Sequence, residues 1–160
     1  MGKLNFCVDV ETATDVTSEV TAKAMAYELH ISPKHAFEVS RAIKGRKVEE
    51  AESYLTAVMA KKVAIPYKRH KKKVAHRRGL KNWYAGRYPV KASAAILKLV
   101  RSAKSNAEYK GLDAGEMRIW HIATKKGRTL RGTMPRAFGH ATAKNTETVT
   151  IELILKEEGS

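Results

Sequence analysis

The sequence predicts an α+β fold, a small antiparallel sheet packed on three helices, with a long extended β-hairpin arm. Three observations carry that prediction. Apolar residues alternate with a period of two near both ends of the chain, three stretches between them recur at three and four residue steps, and the last two alternating runs are separated by a long basic segment.

Thr21 to Leu29, TAKAMAYEL, reads as a strand, with Met25, Tyr27 and Leu29 on one side and Ala24, Ala26 and Glu28 on the other. Ser32 followed by Pro33 opens a helix, because the hydroxyl can accept free N–H groups and Pro suits the first helical position. Ala36, Val39, Ser40 and Ile43 form its inward stripe, Lys34, Arg41 and Lys44 lie outside, and it ends near Gly45. A second helix starts at Lys47 and turns Val48, Ala51, Leu55, Val58 and Met59 inward. Glu49 and Glu50 suit its positive end, Lys61 and Lys62 the other, and Pro66 is its expected stop. KASAAILKLVRSAKSNAEYKG carries the strongest helical pattern, on Ala92, Ile96, Leu99, Val100, Ala103 and Ala107, with Gly111 as its stop. Met117 to Thr124 and Thr148 to Leu155 are strand-like runs that should pair as one antiparallel hairpin.

A length of 160 residues suits one compact body, and an apolar fraction of 43% supplies its core. The net charge of +15 and a pI near 10.0 instead demand a polyanionic partner. No run of about 18 apolar residues is available to span a bilayer, so a membrane is not that partner. The start, MGKLNFCVDVETATD, lacks a signal peptide's apolar segment because Asp9 and Glu11 interrupt it, and the cytoplasm is the expected compartment. Phe6 stands where a myristoylation pattern needs Ser or Thr. Cys7 is the only cysteine, which removes an internal disulfide and a Cys-based zinc site.

An enzyme would need a constellation of reactive groups, and the six histidines and sixteen carboxylates show none with convincing spacing. His35 and Glu38 lie three apart on a helix, but a ferritin-type metal site needs that motif twice. No catalytic residue, metal, cofactor or small-molecule substrate is expected.

The charge is concentrated. No acid falls between Glu52 and Glu108, an interval that holds fifteen Lys and Arg. Its densest part, Ile65 to Lys91, carries Lys68, Arg69, Lys71, Lys72, Lys73, Arg77, Arg78, Lys81, Arg87 and Lys91, and by itself should repel itself and stay loosely ordered. Tyr67, Trp83, Tyr84 and Tyr88, with His70 and His76, are set among these cations, so planar groups that stack on unpaired bases accompany groups that pair with phosphates. Trp83 and Tyr84 could equally anchor the loop to the core. A second acid-free interval, Glu116 to Glu147, carries Arg118, Lys125, Lys126, Arg128, Arg131, Arg136 and Lys144.

The segment joining the last two strand runs, KKGRTLRGTMPRAFGHATAKNTE, far exceeds a normal hairpin loop. It is either disordered or an extended arm ordered by what it binds, and its charge selects nucleic acid. Gly127, Gly132 and Gly139 would let its backbone approach RNA closely, and its arginines can bridge phosphates. A DNA-binding architectural protein would share these features, with Met134 and Pro135 as a minor-groove wedge.

KASAAILKLVRSAKSNAEYKGLD, RIWHI, MPRAFGHA and TVTIELIL together resemble the L twenty-two family of large-subunit ribosomal proteins, over roughly Thr21 to Lys156. The N-terminal extension over 1–20 and a basic insertion over 63–90 are similar to archaeal and eukaryotic members, and the lack of a long basic tail after Ser160 to the archaeal form. The resemblance implies a single domain over 1–160, with a hairpin over 117–156 whose arm, about 125–146, threads through ribosomal RNA to line the peptide exit tunnel. It implies large-subunit rRNA, neighbouring large-subunit proteins and the nascent peptide as partners, and a part in subunit assembly. The arm residues would be Lys125, Lys126, Arg128, Arg131, Met134, Pro135, Arg136, Ala137, Gly139, His140 and Lys144, with His140 where many relatives carry Arg or Lys. The body's RNA contacts would be Lys34, Lys44, Arg46 and the cations from Lys68 to Lys91.

Overall fold

The computed structural model describes Phe6, Cys7 and residues 20–157. The expected extension over 1–20 therefore lies almost wholly outside the described residues, as does the chain after Glu157. Strand β1 (Thr21–Leu29) has the expected bounds. Ala22 and Ala24 are buried in the core, while Tyr27 is 55% exposed. A long helix crosses this strand closely, and small residues leave room beneath it. Glu28, at φ 46°, marks a bulge that shifts the register between Ala26 and Leu29.

Helix α1 (Pro33–Ile43) buries Ala36, Val39, Ser40 and Ile43 as expected, and also Glu38. Ser32 precedes it but makes no capping bond with its side chain, so Pro33 alone carries the start. Helix α2 (Val48–Met59) ends well before Pro66. Its stop is Lys61, at φ 58°, after which the N–H groups of Lys62 and Val63 turn back to the Ala57 carbonyl. Pro66 instead lies in a short strand β2 (Ile65–Pro66), paired antiparallel with β3 (Gly86–Arg87). Helix α3 (Val90–Tyr109) buries all six residues of its predicted stripe and gives way at Gly111, whose φ of 76° suits a residue without a side chain.

Strands β4 (Met117–Leu130) and β7 (Thr146–Glu157) pair antiparallel, and β1 adds to β7, giving the order β1-β7-β4. Central β7 places Val149, Ile151, Leu153 and Leu155 at 0% exposure against the helices. Both edges of the sheet are occupied. Asn106 Nδ2 and Lys110 Nζ, from the end of α3, donate to the β1 carbonyls of Lys23 and Thr21 at 3.0 and 2.8 Å. On the far edge Gly45 N–H donates to the Ile119 carbonyl, and Ile119 N–H to that of Arg46, so the turn between α1 and α2 closes β4 against stray pairing.

The long segment between the two strand runs is largely hairpin. β4 and β7 remain paired out to Leu130 and Thr146, and β5 (Thr133–Pro135) and β6 (Ala141–Ala143) continue outward. Where the two pairings meet the body, Gly127 and Arg128 stand opposite the single residue Thr148, a bulge at which the Thr148 hydroxyl donates to the Arg128 carbonyl at 2.7 Å. A β-carbon on Gly127 would sit 2.6 Å from that hydroxyl oxygen and 3.3 Å from the Thr148 backbone, and one on Gly132 would sit 2.9 Å from the Lys144 carbonyl oxygen. These two glycines thus serve the arm's own strand approach. Replacing Gly127 by Ala should cost about 1–3 kcal/mol through overpacking, read as a lowered midpoint in thermal unfolding; an unchanged midpoint would mean that the bulge yields freely.

Candidate nucleic-acid interface

The basic stretch after β2 follows a defined path, contrary to the loose order expected from its charge, because one acid from elsewhere collects it. The Glu38 carboxylate, 1% exposed on α1, accepts the backbone N–H groups of Lys68, Arg69 and His70 at 3.1, 2.9 and 2.7 Å. Three consecutive amides converging on one anion form a nest, and they balance the burial of its charge. Farther along, Tyr67 N–H donates to the Ala85 carbonyl, and Arg77 N–H to that of Tyr84. The stretch is pinned back on itself with its side chains outward.

Trp83 and Tyr84 divide the two roles they were offered. Trp83 Nε1 donates to the Tyr67 carbonyl at 2.9 Å and is an anchor. Tyr84 stacks on Trp83 at 5.1 Å and 19° and is 46% exposed. It is the half of the pair able to meet a base. Lys68 and Lys71 lie 5.9 and 5.7 Å from the Trp83 ring, so cations border the stack.

The remaining body cations fall into two groups. Lys34, Lys44, Lys72, Lys73, Arg78, Lys81 and Lys91 are exposed. Arg46 is committed inward instead, its Nε donating to the Ala42 carbonyl at 3.0 Å and its guanidinium lying 4.3 Å from the Tyr54 ring. Arg69 rests over Phe37, Arg77 over Tyr88, and Arg87 donates to the Lys73 carbonyl while remaining exposed. Such contacts hold guanidinium groups in one orientation before any partner arrives.

Along the arm the first two cations have acidic partners. Lys125 Nζ lies 2.9 Å from Glu152, and Lys126 Nζ 2.6 Å from Glu147. Lys126 and Glu147 are both largely exposed, so their pairing is weak and readily exchanged for a phosphate. Arg128, Arg131, Arg136, His140 and Lys144 are exposed, with Arg136 Nε donating to Thr142 Oγ1 at 3.1 Å. At the tip Arg136 N–H donates to the His140 carbonyl, and Ala137 to Gly139 form a single tight turn. Phe138 sits there at φ 55° and is 97% exposed, beside Met134 at 37%.

Glu152 is the second buried acid, on the face of β7 away from the helices. It accepts the Cys7 N–H at 3.0 Å, pairs with Lys125, and lies 3.3 Å from His121 Nε2. Burial alone would push its carboxyl up, but the bonds from Cys7, Lys125 and His121 together hold it below the usual value. The bond to Glu152 raises Lys125 in turn. The base of the arm is thereby tied to the sheet and to the chain at Cys7.

The profile of the family described as "Ribosomal protein L22p/L17e" matches residues 24–156. The chain belongs to that family. A protein of Methanothrix thermoacetophila named "Large ribosomal subunit protein uL22" is 52% identical over 98% of this chain and 99% of its own length. Proteins of the same name from Archaeoglobus fulgidus, 51% identical over 96% of each chain, and Methanocella arvoryzae, 49% identical over 98% and 99%, are similar throughout. These three relatives are archaeal, within the archaeal and eukaryotic group that the basic insertion resembled. The family is one of ribosomal proteins and not of enzymes. His35 and Glu38 accordingly take structural parts, one edge-on to Tyr67 at 5.8 Å and the other collecting amides.

Reasoning from sequence weighed Glu38 only as half of a metal motif and passed over Glu152 and Phe138. Glu38 could have been noticed as an acid just off the apolar stripe of a helix that precedes an acid-free run. Phe138 could have been noticed as an aromatic between Ala and Gly in a segment with no core. Replacing Glu38 by Gln leaves one oxygen for three amides and should cost about 1–3 kcal/mol, with faster hydrogen exchange at Lys68, Arg69 and His70 while the α3 amides stay protected. Uniform loss of protection would mean that Glu38 supports the whole core.

A pH dependence also follows from Glu152. Its folded carboxyl titrates below the ordinary 4.5, so the linked stability is present above 4.5 and is lost as pH falls through the lower folded value. Unfolding curves between pH 5 and pH 2 should therefore be shallower for Glu152→Gln than for the parent chain. Identical slopes would refute the assignment.

Proposed function

We propose that this ribosomal protein is a structural constituent of the large subunit in the cytoplasm, where it binds large-subunit rRNA, supports subunit assembly, and lines the peptide exit tunnel with its hairpin arm. The observation that carries the reading is the arm over 125–146. Beyond the bulge at Gly127 it is a two-stranded ribbon, largely exposed, with no core of its own. A lone ribbon of that kind is marginal in water, so it is suited to be held by surroundings. At about 3.4 Å per residue, the stretch from Lys125 to Phe138 can reach at most roughly 45 Å from the body.

The division of labour follows from the side chains. Arg128, Arg131, Arg136 and Lys144, with Lys126 once its pair with Glu147 opens, would meet RNA phosphates along the channel wall, and His140 would offer a hydrogen bond without a fixed charge. Met134, Pro135, Arg136, Ala137 and Gly139, with the exposed Phe138, form a tip whose one fixed charge is Arg136 and which would face the lumen through which a nascent peptide passes. On the body, the cations of the 63–90 insertion with Lys34, Lys44 and Lys91 would face rRNA, and neighbouring large-subunit proteins would meet the rest. The relatives lend no support to the DNA-binding alternative.

The test is sedimentation of lysate from cells carrying either the parent chain or a variant with residues 131–144 replaced by a two-residue turn. Both chains should travel with large subunits through a moderate salt wash, and the shortened arm should change sensitivity to antibiotics that bind in the tunnel. Recovery of the parent chain at the top of the gradient would overturn the reading. Failure of the shortened chain alone to enter subunits would move the arm's part from tunnel to assembly.

A further inference from the structure

A cleft of about 520 Å³ opens between the first turn of α1 and the basic loop, a size usual for small-ligand sites. Lys34 and His35 line it from α1, Tyr67 from the residue after β2, Arg69 and Lys72 from the loop, and Arg87 from β3. Two of its guanidinium groups are already positioned. Arg87 Nη2 donates to the Lys73 carbonyl at 3.2 Å with its carbon 6.0 Å from the Tyr67 ring, and Arg69 lies 5.1 Å from the Phe37 ring.

The wall between these cations is aromatic. The Tyr67 and His35 rings meet edge to face at 5.8 Å. Tyr67 is 1% exposed, and its hydroxyl is buried without a hydrogen-bond partner. Tyr67 therefore supports the wall of the cleft and does not present its hydroxyl to a ligand. Burial, helped by the charge of Arg87, pushes His35 below its ordinary value, so at neutral pH it presents a flat uncharged ring among four cations.

We propose that this cleft seats one nucleotide from a single-stranded stretch of ribosomal RNA, its phosphate among Arg69, Lys72 and Arg87 and its base against the His35 ring. The proposal rests on the RNA-binding reading and narrows it to one built site among many dispersed charges. A duplex backbone does not enter a cleft of this kind, whereas an unstacked nucleotide brings both the anion and the planar, polar surface that the lining requires. Lys34, on α1 beside His35, is suited to the next phosphate along the strand, and His70 and Val74 complete the lining.

The test uses the full chain, with tri-adenylate as the probe and large-subunit rRNA as the reference ligand. Tri-adenylate should shift the His35 ring signals and the Arg69 to Lys72 amides saturably. His35→Ala should weaken it about tenfold through loss of the ring on which the base rests. Arg87→Gln should weaken it about tenfold and flatten the log-log salt dependence by about 0.7. Parent-like binding by both variants would overturn the proposal, as would tighter binding of poly-glutamate at the same signals, which would assign the cleft to an acidic protein segment. Tight rRNA binding by the parent chain, with the His35 ring unmoved by tri-adenylate, would sink the cleft and leave the RNA-binding reading standing. Absence of any rRNA binding would sink both.

Discussion

The carboxylate of Glu38 sets the conditions under which the most basic part of this chain can fold. Between Glu52 and Glu108 every charged side chain is positive, and like charges at such density favour an expanded loop. Glu38 lies outside that interval in sequence and beneath it in space. By accepting three backbone amides it fixes the direction in which Lys68, Arg69 and His70 leave the body, and it engages their amides rather than their side-chain charges. A salt bridge to one lysine would have consumed a cation. An amide nest holds the chain and leaves the cations outward for a partner.

Glu152 does comparable work on the opposite face of the sheet, with the opposite choice of donor. It takes the ammonium of Lys125 as well as the Cys7 amide and the side of His121, and so removes one cation from the outward set. That cation stands at the root of the arm, where the ladder leaves the core and where orientation matters more than charge. Just beyond it the bulge at Gly127, Arg128 and Thr148 increases the local twist and bends the bulged strand, and the arm beyond consists of backbone pairing with outward side chains. The acids thus sort the basic residues into those that hold the protein and those that remain outward for a partner.

Much of the fold was legible because it rests on periodicity. The bounds of β1, α1, α2 and α3 follow apolar repeats that any packed core must satisfy, and β7 alternates so strongly that its buried face could be named residue by residue. The gaps have physical sources. Alternation gave the two sides of β1 but not which is buried, because closeness of a crossing helix, and not side-chain size, chooses Ala22 and Ala24. Pro66 was given the end of α2 because proline is the visible breaker, whereas a left-handed Lys61 ends it with no signature in the sequence. For Gly127 and Gly132 the nearest neighbour is the opposite strand, which only the pairing reveals. At the candidate site the cations were legible as a class, but which of them are already engaged was not. Arg46 over Tyr54 and Lys125 on Glu152 depend on partners brought together only by the fold.

The aromatic residues of the basic loop show how a highly charged surface acquires specificity. Charge alone gives affinity for any polyanion, with no preference for position or strand. Tyr67, Trp83 and Tyr84 change this because each ring is placed by a bond or stack that is independent of RNA: Tyr67 by its amide on Ala85, Trp83 by its indole on the Tyr67 carbonyl, and Tyr84 by its stack on Trp83. Cations next to fixed rings can be satisfied together only by a ligand whose anion and planar group have the matching separation. A nucleotide free of a duplex carries both, whereas a helical backbone offers phosphates alone. The loop is therefore better suited to bind irregular, folded RNA than uniform duplex, which is the kind of RNA that a protein built into a ribonucleoprotein particle must recognise.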